Sequence, residues 1–193
     1  MITTFQSDLL EAFAAERPED KRRLVFGEGQ AEHPDIMLIG EAPGAQEEQQ
    51  GRPFVGKAGK NLDEFLQVVG LQRPELYISN VVKVRPCRVS EKGTVANRPP
   101  NREELAFFRP WLLREILLVQ PRILVTLGNT ALQSLTDAVI GDCHGQAQTV
   151  TLQQRAFTLF PLYHPASIIY NRSLAPVYQE DLLRLKALLT QRI

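Results

Sequence analysis

Cysteine is nearly absent from this chain, with only Cys87 and Cys143 among 193 residues. Two thiols cannot build a disulfide framework or an all-cysteine metal site, so a reduced, cytoplasmic setting is expected. Long apolar runs are missing too. No stretch approaches the ~18 consecutive apolar residues of a membrane span, so no membrane partner is expected. The start of the chain, Met1-Ile2-Thr3-Thr4-Phe5, lacks the basic region and apolar core of a secretion leader. Internal repeats and low-complexity tracts are absent. Net charge is also lacking, with 22 basic against 22 acidic side chains. The overall balance therefore selects no class of partner.

The distribution of charge is more informative. Residues 1–50 hold eleven acidic and four basic side chains. Residues 81–102 hold six basic ones (Lys83, Arg85, Arg88, Lys92, Arg98 and Arg102) against the single Glu91. A local basic stripe in a neutral protein fits a small phosphate footprint, although a solvated loop would look the same. Apolar residues make up 44% of the chain, enough for a packed core, and the length suits one domain over 1–193. Within it, 1–24 reads as an N-terminal helical segment and 84–100 as a basic loop insertion.

Four short apolar runs, 36–40, 76–80, 123–127 and 157–161, read as strands buried on both faces. Helical patterns lie between them. Leu62, Phe65, Leu66 and Val69 share a helix face, and Gly70 is a natural stop. Asn101 and Glu104 have capping-box spacing at the start of a helix carrying Leu105, Phe108, Leu112 and Ile116. Pro110 should kink that helix. A last helix from about 177 to 191 presents Leu182, Leu185 and Leu189. This alternation predicts an α/β fold, a three-layer α/β/α sandwich around a central four-stranded parallel sheet.

In such sheets ligands bind beyond the carboxyl ends of the strands, and the unusual residues of this chain fall there. Gly40-Glu41-Ala42-Pro43-Gly44 follows the first strand, Asn80 ends the second, Gly128-Asn129 follows the third, and Tyr163-His164-Pro165 follows the fourth. Glycine lets a ligand approach the backbone, and Pro43 fixes the turn. Phe54 lies in the turn-rich Gly51-Arg52-Pro53-Phe54-Val55-Gly56, where no core pattern explains it. One cleft could thus collect a carboxylate, an amide, an imidazole and a ring, which suits a planar ligand such as a nucleobase.

With Ala58-Gly59, Tyr77-Ile78-Ser79-Asn80-Val81-Val82-Lys83, Leu127-Gly128 and His164-Pro165-Ala166, these motifs resemble the family-four branch of the uracil-DNA glycosylase superfamily. They occur in family order over roughly residues 25–185. The resemblance implies a hydrolase that flips uracil out of single- or double-stranded DNA and cleaves its N-glycosidic bond, leaving an abasic site. It implies substrate contacts from Gly40, Glu41, Ala42, Phe54, Asn80 and His164, with Phe54 stacked on the base. Asn80 would donate to O4 and accept from N3–H. Cytosine reverses that edge and would leave unpaired groups, costing about 1–3 kcal/mol each. His164 would donate to O2 as negative charge develops there, a contact worth about 2.7–4 kcal/mol. A neutral imidazole suffices. His33 and His144 have no comparable setting, and the adjacent Cys143 and His144 do not read as a nucleophile pair.

The catalytic set is therefore His164, Asn80 and Glu41, with Glu41 the least settled. Where the best-known branch has a catalytic aspartate, this chain has Ala42. Glu41 either orients water or shapes the pocket around uracil C5 against thymine's methyl, and the second role is favoured. The stretch after His164 resembles the loop that holds the duplex open, with Ile168 as apolar wedge and Tyr170 or Arg172 touching DNA. Lys83, Arg85, Ser167, Ile168 and Arg172 complete the expected DNA contacts. The sharpest departure concerns metal. Most family-four members hold an iron–sulfur cluster through four cysteines, and those positions fall near Ala12 and Ala15, at Val84 and at Phe108. Cluster ligation needs thiolates, so no metal and no cofactor are expected, and an apolar plug should fill the space. A monomer is expected. Two other functions stay open: a glycosylase for deaminated bases such as hypoxanthine or xanthine, and a non-catalytic protein that binds damaged DNA.

Overall fold

The computed structural model describes residues 1–191. In chain order the helices are α1 (Ile2–Glu16), α2 (Ala45–Gln50), α3 (Lys57–Val69), α4 (Arg102–Val119), α5 (Asn129–Gln133), α6 (Ile140–Cys143), α7 (Pro165–Tyr170) and α8 (Ala175–Thr190). The strands are β1 (Glu28–Gly29), β2 (Ile36–Gly40), β3 (Tyr77–Asn80), β4 (Cys87–Val89), β5 (Val95–Asn97), β6 (Ile123–Leu127), β7 (Gln148–Leu152) and β8 (Arg155–Leu162).

The main sheet has six strands in the order β1-β3-β2-β6-β8-β7, not four. Its central four, β3-β2-β6-β8, pair in parallel. The short β1 and the longer β7 add to the two edges in antiparallel fashion. The first is only two residues long. The second alternates exposed Thr149 and Thr151 with buried Val150 and Leu152, the pattern of an edge strand covered on one side.

Both faces of the sheet are covered, as the uninterrupted apolar strands require. In β2, Ile36 and Leu38 face one layer, where Leu62, Phe65 and Leu66 of α3 and Leu182 and Leu185 of α8 pack. Met37 and Ile39 face the other, against Phe5 and Leu9 of α1 and Phe108, Leu112 and Ile116 of α4. The helix boundaries follow local chemistry. Asn101 Oδ1 accepts from the Glu104 backbone N–H, and the Glu104 carboxylate accepts from that of Asn101, both at 2.8 Å. Gly70 ends α3 with φ +80°, a conformation that costs a residue with a Cβ. The helix α4 runs through Pro110, which sits on its exposed side.

The expected basic loop is an ordered two-stranded sheet of β4 and β5, separate from the main one. In the main sheet, β3 lies on one side of β2 and β6 on the other. The chain therefore reverses its winding at the carboxyl ends of β2 and β6, which opens a crevice there.

Candidate active site

The floor of the crevice is set by the register of β2 and β3, which places Gly40 beside Asn80. A Cβ on Gly40 would lie 2.4 Å from Asn80 Oδ1 and 2.5 Å from Phe54 Cζ. Only glycine lets the amide and the ring approach each other over the strand end. Asn80 is only 3% exposed, and it lines the cleft, where its amide can meet a ligand. The cleft above it measures about 460 Å³ and is bounded by Ala42, Phe54, Lys57, Asn80, Asn97 and His164.

Phe54 is held under constraint. Its φ of +53° lies in the left-handed region, uncommon for an aromatic residue and costing on the order of 1–3 kcal/mol. The surrounding structure over-determines that conformation. Arg73 Nη2 donates to the Phe54 carbonyl at 2.7 Å, and Glu47 Oε1 accepts from the Val55 and Gly56 N–H groups at 3.0 and 2.7 Å. The other oxygen of Glu47 accepts from Gly44 N–H at 3.1 Å. One buried carboxylate thus ties the turn after β2 to the loop that presents the ring.

His164 enters from the end of β8 and caps α7. Its Nδ1 accepts from the Ala166 N–H at 3.1 Å, so the proton resides on Nε2 and that nitrogen is a donor. Burial lowers its pKa below the ordinary histidine value, which keeps the ring neutral. The rings of His164 and Phe54 lie 6.2 Å apart and 27° from parallel. Glu41 accepts a short hydrogen bond from Thr130 Oγ1, linking the ends of β2 and β6 across the crevice.

Beneath Asn80 lies a buried polar cluster. Lys83 Nζ donates to the Asn80 carbonyl at 2.5 Å, to Ser79 Oγ at 2.7 Å and to Glu115 at 2.6 Å. Its three protons are all used. Glu115 also accepts from Tyr77 OH at 2.9 Å and from Ser79 Oγ. The side chains of Lys83 and Glu115 are fully buried, and burial together with the Glu115 charge drives the Tyr77 hydroxyl far above its usual pKa.

This cluster corrects one expectation about DNA contacts. Lys83 has no solvent face and braces the backbone of Asn80 from inside, because its ammonium finds all its partners there. Arg85 is likewise turned to internal partners, Asn97 Oδ1 at 2.7 Å and Glu48 at 3.3 Å. Arg98 pairs with Glu104 at 2.7 Å. Half of the basic stripe is therefore neutralised within the protein, and Arg88, Lys92 and Arg102 remain on the surface. Near α7, Ile168 packs partly buried against the core formed by α3 and α8, whereas Tyr170 is 90% exposed and Arg172 is also outside. Ser167 is half-buried. Tyr170 is thus a large side chain that projects outward here, where Ile168 does not.

Several residues of the site were not read from the sequence. Glu47 stands three places after Gly44, the capping spacing that could have marked its local bond, but its bonds to Val55 and Gly56 are long-range. Glu115 left a clearer signal, a lone acid between Leu112 and Ile116 on the apolar face of a helix. Thr130 and Asn97 left none. Cys143 and His144 find separate partners. The Cys143 thiol bonds to the Val139 carbonyl at 3.3 Å, and burial raises its pKa, while His144 pairs instead with Asp181 at 2.7 Å.

The four positions to which the resemblance assigns cluster ligands, Ala12, Ala15, Val84 and Phe108, carry no thiolate. Phe108 stacks on Phe13 at 5.9 Å, Phe107 meets both rings edge-on, and Val84 is fully buried beside them. Ala12 and Ala15 lie on α1, one half-buried and the other exposed. The residues present do not fit a cluster, since no thiolate stands at any of the four positions.

The fold and cleft define an α/β protein that can receive a planar, hydrogen-bonding ligand at the carboxyl edge of its sheet. The chain belongs to the uracil DNA glycosylase superfamily, whose pattern matches residues 26–186. It is 35% identical over 175 residues to the type-4 uracil-DNA glycosylase of Sulfurisphaera tokodaii, covering 87% of this chain and 76% of that one. The type-4 enzyme of Pyrobaculum aerophilum is 35% identical over 168 residues, 84% of this chain and 81% of its own. That of Thermotoga maritima is 34% identical over 177 residues, 87% and 84% of the two chains.

Proposed function

We propose that this protein removes uracil from DNA by hydrolysing the bond between deoxyribose C1′ and uracil N1. Water adds its hydroxyl to C1′, the bonding electrons leave with the base, the remaining proton of that water ends on the released uracil, and an abasic site remains. The observation that carries this reading is that Asn80 lines the same cleft as Phe54 and His164, whose Nε2–H is free to donate. An amide on a backbone that Lys83 braces from behind can pair with uracil O4 and N3–H, while Phe54 covers a face of the base. A neutral donor at O2 stabilises the departing anion without requiring a titration near neutral pH. Glu41 does not line the cleft; engaged with Thr130, it holds the turn that carries Ala42 into the cleft rather than acting as a free base, and Gly40 and Ala42 leave room for the ring.

The reaction runs without a metal or cofactor in this reading, which rests on the aromatic residues and valine that occupy the cluster space. Arg172 and Ser167 contact the DNA backbone, and Tyr170 takes the wedge position earlier given to Ile168. The enzyme works as a monomer, since one lesion needs one cleft. The test is single-turnover release of uracil from single- and double-stranded oligonucleotides by the native protein and by Asn80→Ala. Release that falls at least 100-fold in the variant, the order set by losing transition-state positioning, supports the reading. Tight binding without release at enzyme excess would refute catalysis and leave a protein that binds damaged DNA. Release of hypoxanthine or xanthine in place of uracil would refute the assigned base.

A further inference from the structure

The hairpin of β4 and β5 has a feature that its fold does not need. Val89 and Val95 stand opposite each other in the ladder, and they are 68% and 47% exposed. Alternate residues of a strand share a face. Asn97, two places from Val95, lines the cleft, and its partner across the ladder, Cys87, is two places from Val89. The exposed valine pair therefore lies on the ribbon face that continues outward from the mouth of the cleft. Arg88 and its partner Ala96 occupy the opposite face.

The arm is braced at its root and closed at its tip. Arg98 bonds the Cys87 carbonyl at 3.2 Å and pairs with Glu104 at the start of α4. Arg85 bonds Asn97 and pairs with Glu48 of α2. At the tip, Ser90 and Thr94 exchange hydrogen bonds, and Gly93 turns the chain with φ +77°. An isolated hairpin is marginal in water, so these ion pairs hold a ribbon that would otherwise fray. Arg88 and Lys92 lie exposed on it with only Glu91 to oppose them, and neither makes an ion pair among the described residues. A ribbon with surplus positive charge on its tip and one face, and an apolar pair on the other, selects a polyanion with flat apolar faces over a neutral protein surface.

We propose that the β4–β5 hairpin is a second DNA-intruding arm, whose Val89–Val95 pair fills space in the base stack beside the extruded nucleotide. The inference rests on the proposed function and names the part of the DNA that this arm takes: bases in a duplex next to the lesion. Extruding a base leaves a gap in a duplex, and apolar side chains that occupy it offset part of the unstacking cost. A single strand has no partner base to hold apart. The arm therefore serves duplex substrates and is dispensable on single strands.

The test is the double variant Val89→Thr/Val95→Thr, which keeps β-branched side chains and the hairpin while making that face polar. Single-turnover release from duplex DNA is expected to fall about tenfold, the order for loss of two partly buried methyl contacts. Release from single strands should stay within about twofold on the same scale. In parallel, 2-aminopurine beside the lesion reports unstacking in the duplex, and its fluorescence gain on binding should shrink in the variant. The companion Val89→Ile/Val95→Ile, which enlarges the apolar face, should retain native duplex release and the full fluorescence gain. Equal loss on both substrates would overturn the proposal, because the hairpin would then act only through the cleft wall at Asn97. No change on either substrate, with an unaltered fluorescence gain, would also overturn it and return the face to another partner. Failure of the native protein to release uracil would refute the proposed reaction, and the fluorescence arm would still decide the hairpin's role.

Discussion

Replacing Lys83 by methionine removes the ammonium but keeps most of the side chain's length, and it isolates the electrostatics beneath Asn80. In the native protein Lys83 supplies three donors, to Glu115, Ser79 and the Asn80 carbonyl, in a site closed to water. In the variant Glu115 retains only Tyr77 OH and Ser79 Oγ as donors. Breaking one side of a buried ion pair costs about 3–5 kcal/mol, because the remaining charge is uncompensated. Against a typical total of about 5–15 kcal/mol this is a large fraction. At about 2–4 °C per kcal/mol for a chain of this size, the melting temperature should fall by roughly 6–20 °C. Adding Glu115→Gln should restore most of that loss, since it removes the orphaned charge. The double variant should still discriminate uracil from cytosine poorly, because the Asn80 carbonyl has lost its donor. Thermal unfolding of the two single variants and the double, with base-release assays on uracil and cytosine substrates, completes the cycle. A Lys83→Met variant within about 1 kcal/mol of native stability, the range of an exposed ion pair, would refute the burial argument. A double variant with native discrimination would refute the positioning role.

Gly40→Ala should place its Cβ against Asn80 and Phe54, lowering uracil release about 100-fold, the usual cost of displacing a site by an ångström. Near-native kinetics would show that the crevice floor adjusts freely. His164 has its pKa lowered by burial, so its neutral form should persist on the acid side of the ordinary value of about 6.5. A rate–pH profile should accordingly be flat through that value, and a step centred on it would contradict a neutral donor. The same shift makes folding stability fall as pH drops below about 6.5, since the unfolded chain then binds a proton that the native ring refuses. For Glu104, burial works to raise the pKa, but Arg98, the Asn101 N–H and Arg22 outweigh it and hold the group at about 2. Its stabilising contribution should be complete above its unfolded value of 4.5 and lost as pH falls toward 2. Glu104→Gln should flatten the melting temperature over that window, and an unchanged acid slope would count against the assignment.

The parallel core was legible because strands buried on both faces announce themselves as unbroken apolar runs, as in Ile36–Gly40 and Ile123–Leu127. The edge strands were harder to read. Gln148–Leu152 alternates polar and apolar residues over five positions, and Glu28–Gly29 is too short to carry a pattern. The antiparallel pairing of both depends on neighbours distant in the chain. Asn80, Phe54 and His164 stood out because their local settings were peculiar, and the fold brings all three to one cleft. Lys83 misled because a lysine in a basic stretch normally faces water. Its burial depends on Glu115, 32 positions away, and only the packing of α4 on the sheet makes that pairing visible. Glu47 and Thr130 were hidden for the same reason. Ile168 was read as the wedge on its chemistry alone, and the packing of the short helix α7, which turns it toward the core, leaves no local signal in the sequence.

The most direct test of the account is base release by the native protein at enzyme excess, from otherwise identical oligonucleotides carrying uracil, thymine or cytosine at one position. The account predicts abasic-site formation with uracil alone: thymine is refused by the turn that Glu41 holds around the base, and cytosine by the edge pattern read at Asn80. Retention of the uracil oligonucleotide without release, or release of cytosine at a comparable rate, would contradict it.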